Sequence, residues 1–119
     1  MSFIQKRGQN TTWRNNLMRN LVTELIVHGQ LEIIEVRAKE VQKHADKMIT
    51  LAKEGSLHSR RQALAYLRDI KDKNGISAID ILFTKIAEKY KDRNGGYTQV
   101  IKTENRRGDS TQMAIIRLV

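Results

Sequence analysis

The chain has 119 residues, with 22 Lys and Arg against 13 Asp and Glu, and neither cysteine nor proline. That length suits one domain whose core needs no covalent staple, and the lack of cysteine excludes disulfides and cysteine metal sites. The formal charge of +9 and the pI near 10.1 favour a polyanionic partner, nucleic acid or an anionic surface, and say nothing about fold.

The positive charge is unevenly placed. Lys6, Arg7, Arg14 and Arg19 all precede the first acidic residue, Glu24, and the basic excess returns at Arg60-Arg61 and from Lys89 onward. Met1 to Asn10 lacks the apolar core of a signal peptide. No apolar run approaches the ~20 residues that cross a bilayer. A soluble, cytoplasmic protein is therefore expected, with no membrane partner.

Residues 1–10 form a polar, basic lead-in expected to be flexible until a partner orders it. A first helix is predicted from Asn10 to Thr12 up to His28-Gly29, with Trp13, Leu17, Leu21 and Leu25 at spacing four, and Val22 and Ile26 beside them, as its buried face. Leu31 to Ile34 reads as a short strand. A second helix spans about Val36 to Lys53, with Val41, Ala45, Met48, Ile49 and Ala52 as its apolar stripe and Gly55 as its C-terminal stop. Ser56 or Ser59 can cap a third helix, Ser59 and Gln62 being in capping-box spacing, with Leu57, Leu64 and Leu67 on its apolar side. A fourth helix carries Ile79, Leu82, Phe83, Ile86 and Tyr90 and stops at Asn94-Gly95-Gly96. Strands from Tyr97 to Thr103 and Thr111 to Leu118 close the chain; both faces of each are partly apolar. The order α-β-α-α-α-β-β defines an α+β domain with helices on one side of a small three-stranded sheet.

Enzymatic and metal chemistry find little support in the residues. His28, His44 and His58 have no ligand-pair spacing, and neither a glycine-flanked serine elbow nor a phosphate loop is present. Aromatic residues are 5%, too few for a base-stacking platform, so the phosphate backbone of a folded nucleic acid is the better target. Arg107-Gly108-Asp109 reads as a hairpin tip, glycine supplying positive φ and aspartate the turn bonds. At that tip Arg106 and Arg107 are expected to have few partners and long reach. Arg60 and Arg61, near a helix start, oppose the macrodipole and need a compensating carboxylate or phosphate, with phosphate favoured. Lys89, Lys91 and Arg93 complement the dipole at a helix end and are free to serve a polyanion as well.

Several segments together resemble the family of the ribosomal protein numbered seventeen of the bacterial large subunit, over nearly the whole chain. They are Arg19-Asn20-Leu21 through His28, Ala38-Lys39-Glu40, Ile49-Thr50-Leu51-Ala52-Lys53 and Arg60-Arg61-Gln62-Ala63-Leu64. The tail carries most: Tyr90-Lys91-Asp92-Arg93-Asn94-Gly95-Gly96-Tyr97-Thr98, Arg106-Arg107-Gly108-Asp109 and Met113-Ala114-Ile115-Ile116. The resemblance implies a single-copy, non-catalytic protein on the solvent side of the large subunit near the peptide exit, holding ribosomal RNA segments together. It also implies the same α-β-α-α-α-β-β order. The chain departs from the family in a sparser basic leader, in Trp13 where members usually have histidine, and in Ile33 and Ile34 where threonines usually precede the second helix. Glu35 is then expected to complement that helix dipole in place of a cap.

The expected protein is one RNA-binding domain, residues 1–119, with 1–10 as the lead-in. The RNA-binding candidates are Lys6, Arg7, Arg14, Arg19, Arg60, Arg61, Lys91, Arg93, Lys102, Arg106 and Arg107. Its expected partners are large-subunit ribosomal RNA and neighbouring ribosomal proteins, without cofactor, metal, small-molecule substrate or self-association. The competing readings are a free nucleoid or DNA-architectural protein and a small RNA-directed enzyme.

Overall fold

The computed structural model describes residues 11–119, and the lead-in with Lys6 and Arg7 lies outside them. Helix α1 (Thr11–His28) leads through Gly29 into strand β1 (Gln30–Ile34) and directly into helix α2 (Glu35–Glu54). Helix α3 (Leu57–Tyr66) follows. Helix α4 then runs continuously through an α-turn (Ala78–Ile81), a π-helical stretch (Leu82–Ile86) and a last α-turn (Ala87–Lys89). Strands β2 (Thr98–Lys102) and β3 (Met113–Leu118) form the closing hairpin. The sheet is antiparallel in the order β1-β3-β2, with Leu31 and Val100 both opposite Ile116.

Alternation on β3 decides which sheet face meets the helices. Ala114 and Ile116 are fully buried, and Leu31, Ile33, Val100 and Leu118 pack against the same core. Helix α2 is the hub, touching α1, α3, α4 and all three strands. Its stripe is the expected one, Val41, Ala45, Met48, Ile49 and Ala52, extended by Ala38. Gly55 adopts φ 69° and donates its N–H to Leu51, ending the helix in the left-handed conformation that L side chains avoid. At the other end Ile34 offers no side-chain cap, and the Glu35 carboxylate sits in the first turn, where it complements the dipole.

Helix α1 buries the C-terminal half of the expected face, Val22, Leu25 and Ile26, but not its Trp13 end, where Met18 turns inward instead. Met18, Val22, Leu25 and Ile26 are buried, whereas Leu17 and Leu21 are only partly covered and Trp13 is 39% exposed. The guanidinium of Arg37 lies 5.3 Å from the centre of the Trp13 ring. Trp13→Ala should therefore cost clearly less than the ~3–5 kcal/mol of emptying a fully buried aromatic site. A small Tm shift in the free protein checks this; a loss of ~3–5 kcal/mol would show a buried ring.

In α3 the cap is Ser56, whose hydroxyl accepts the Ser59 N–H at 3.1 Å, so Ser59 and Gln62 form no capping box. Leu57 and Leu64 are 65% and 60% exposed, and the face towards α2 is Ser59, Ala63 and Leu67. Small side chains bring the two helices close and leave the long leucines outside.

One buried polar residue connects α1 to the chain beyond α3. The Thr23 hydroxyl donates to the Arg19 carbonyl (2.7 Å) and accepts the Arg68 N–H (3.0 Å). Thr23→Val keeps the shape and leaves that N–H without an acceptor, so urea unfolding should show a loss of about 1–3 kcal/mol.

Candidate nucleic-acid interface

The cations divide into those engaged within the fold and those presented outward. Arg19 is engaged: its guanidinium donates to the carbonyls of Tyr66 (3.0 Å) and Ala65, satisfying the open C-terminal end of α3, and lies over the Tyr66 ring. Arg14 donates to the Thr11 hydroxyl at 3.2 Å. Arg60 pairs with Asp80 at 3.0 Å and stands 5.4 Å from the centre of the Phe83 ring. For Arg60 the compensating group is thus a carboxylate of the fold. Asp80 also accepts from Ser77, and these hydrogen bonds, Ser77 first and then Arg60, hold its carboxyl below the usual range. The ammonium of Lys102 lies 3.4 Å from the largely buried Glu35 carboxylate, which Lys39 approaches at 3.7 Å.

The hairpin tip is a built turn. Arg106 donates two hydrogen bonds to Asp109, and the second carboxylate function of Asp109 is to accept the Thr111 N–H at 3.1 Å. Gly108 takes φ 98° and Ser110 takes φ 56°, while backbone bonds join Arg106 to both Thr111 and Ser110. Arg106 therefore has a partner, contrary to the expectation for both tip arginines, and only Arg107 projects without an ion pair among the described residues.

Arg106, with help from the Thr111 backbone, holds the Asp109 carboxyl well below the ordinary carboxylate value. A depressed folded-state pKa contributes stability above the unfolded value near 3.9, and loses it as the pH falls through the folded value. The Thr111 amide resonance should accordingly titrate with a midpoint below that of an unstructured aspartyl peptide. A midpoint at or above the peptide value would contradict the pairing.

Arg61, Lys91, Arg93 and Arg107 are exposed and form no ion pair among the described residues. Lys91 and Arg93 flank the Gly95-Gly96 corner, where both glycines have positive φ. That corner is firmly held. Lys53 donates to the Arg93 carbonyl and to the Tyr97 hydroxyl (2.9 Å), and Tyr97 packs edge-on against Tyr90 at 5.3 Å. The Lys53 hydrogen bond, followed by one from the Gly95 backbone, draws the Tyr97 phenol below its ordinary pKa.

The candidates do not converge on one face. Arg61 sits on α3, which packs chiefly on α2, whereas Arg107 belongs to the hairpin of the sheet, which packs on α2 separately from α3. Sequence reasoning also missed a row. Lys39, Lys43 and Lys47 are exposed at spacing four on α2, and Lys43 and Lys47 make no ion pair among the described residues. Both flank His44, whose imidazole is pushed below its ordinary pKa first by burial and then, more weakly, by these lysines, against an upward pull from Glu40. Their spacing was visible in the sequence, but the acids mixed into that segment concealed it.

Fold and surface define a class: a small, basic α+β domain with outward cations on several sides. No group of three or more potential metal ligands occurs among the described residues, and no helix among them is long and apolar enough to cross a membrane. The family model described as ribosomal protein L17 matches residues 17–119. The chain is 59% identical to the large ribosomal subunit protein bL17 of Mesoplasma florum and 58% identical to that of Mycoplasma capricolum, in each case over 119 residues and the whole of both chains. The corresponding protein of Clostridioides difficile is 49% identical, again over the whole of both chains. The chain belongs to the ribosomal protein L17 family.

Proposed function

We propose that this protein is a structural, non-catalytic constituent of the large ribosomal subunit in the cytoplasm. It binds ribosomal RNA through phosphates and touches neighbouring subunit proteins. The full-length identity to large-subunit proteins carries this reading. Arg61, Lys91, Arg93 and Arg107, together with Lys43 and Lys47, meet phosphates from different RNA segments, because they form no ion pair among the described residues. Lys6 and Arg7 extend this set from the lead-in of a single domain. Arg19, Arg60, Lys102 and Arg106 act mainly by fixing the elements that present the others. Contacts spread over several sides suit a protein that holds RNA segments together better than one that reads a base sequence.

Sucrose-gradient fractionation with mass spectrometry tests the assignment. The protein should travel with large subunits at constant stoichiometry. Association with chromosomal DNA instead would favour a DNA-architectural protein.

A further inference from the structure

The sheet has a second face, and it is not polar. An antiparallel sheet with one face in water normally alternates apolar inward and polar outward. Here the outward positions include Ile34 on β1, Met113 and Ile115 on β3 and Ile101 on β2, with Ile115 directly between Glu32 and Ile101 in register. Ile101 is 37% exposed, and the other three are partly exposed and lie outside the core cluster that the helices share with the sheet. Beside this apolar row lies a groove of about 470 Å³ lined by Glu32, Thr103, Glu104, Asn105, Arg106 and Met113.

Two features of the groove narrow down its occupant. Glu32 and Glu104 are exposed carboxylates without an ion pair among the described residues, in a chain whose net charge is +9. The hydroxyl oxygen of Thr103 is buried in the groove wall with no hydrogen-bond partner. Phosphate is repelled by the carboxylates and gains nothing from the isoleucines. A second copy of the chain brings the same pair of carboxylates and the same large positive charge. A polypeptide segment combining apolar and basic side chains matches both the isoleucine row and the two carboxylates.

We propose that the outer sheet face, Ile34, Ile101, Met113 and Ile115 with Glu32 and Glu104 at its rim, docks a basic, apolar-containing segment of another large-subunit protein. Apolar side chains cover the isoleucine row, and a lysine or arginine enters the groove between the two carboxylates. This inference rests on the reading of the chain as a large-subunit constituent.

The test is photo-crosslinking within intact large subunits that carry Ile101→p-benzoylphenylalanine, with Gln99→p-benzoylphenylalanine on the same exposed face as a second site. After nuclease and protease digestion, the expected adduct is a peptide of one other subunit protein containing lysine or arginine beside apolar residues. Its yield should fall severalfold when Glu32→Lys and Glu104→Lys are added, while the chain still sediments with large subunits. Adducts to RNA, adducts to a second copy, no adduct at either site, or a yield indifferent to the charge reversal would each overturn the docking surface alone. A chain missing from the subunit fraction would overturn the proposed function, and this inference with it.

Discussion

Tyr90→Ala should destabilise the free protein by about 3–5 kcal/mol, the usual cost of emptying a buried aromatic site. Three connections meet at this side chain. Its ring is 2% exposed at the end of α4 and packs edge-on against Tyr97, and its hydroxyl donates to the Val119 backbone oxygen at 2.6 Å. The Val119 N–H in turn bonds the Tyr97 carbonyl at 2.9 Å. Removing the ring therefore loosens the end of α4, the Gly95-Gly96 corner and the last residues of β3 together. Tyr90→Phe keeps the packing and removes one hydrogen bond, so its loss should be nearer 1 kcal/mol. Chemical denaturation of the two variants beside the parent measures both values. Equal losses would mean that the hydroxyl, and not the ring, fixes the corner.

The helices show how far sequence pattern reaches. The stripe of α2 was legible because its apolar residues mix steps of three and four, which keep to one face of a straight helix. On α1 the series Trp13, Leu17, Leu21, Leu25 steps only by four. An α-helix turns about 100° per residue, so each such step drifts by about 40° and Trp13 ends roughly 120° away from Leu25. The core keeps Val22, Leu25 and Ile26 and takes Met18 in place of Trp13. On α4 Ala78, Leu82, Ile86 and Tyr90 also step only by four, yet all are buried. There the π-helical stretch from Leu82 to Ile86 widens the turn and returns the series to one face. The same spacing thus has two outcomes, and only the packed structure tells them apart.

The interface was less legible for a related reason. A cation's engagement depends on partners that are remote in sequence: Asp80 for Arg60, the Ala65 and Tyr66 carbonyls for Arg19, Glu35 for Lys102. No local pattern announces these pairs. Arg106 and Asp109 are three residues apart, and their pairing could have been read from the turn that Gly108 and Asp109 define. The family resemblance identified the kind of protein, and the packed side chains determine which cations remain available.

That distinction between engaged and outward cations is the centre of the account, and two double variants separate them. Arg61→Ala with Arg107→Ala removes outward charges that form no ion pair among the described residues. Surface changes of this kind usually alter stability by at most ~0.5 kcal/mol, so the melting temperature should barely move. RNA affinity should fall, and the slope of log affinity against log salt should flatten by about 1.4–1.8, at roughly 0.7–0.9 per lost phosphate contact. Arg60→Ala with Arg106→Ala removes engaged charges and should change the slope much less, while loosening the α3–α4 contact and the hairpin tip. The deciding measurement is the salt dependence of binding to large-subunit ribosomal RNA for the parent and both variants. A flattened slope confined to Arg61 and Arg107 is the predicted result. A parental slope for that pair, with the flattening found at Arg60 and Arg106, would contradict the account.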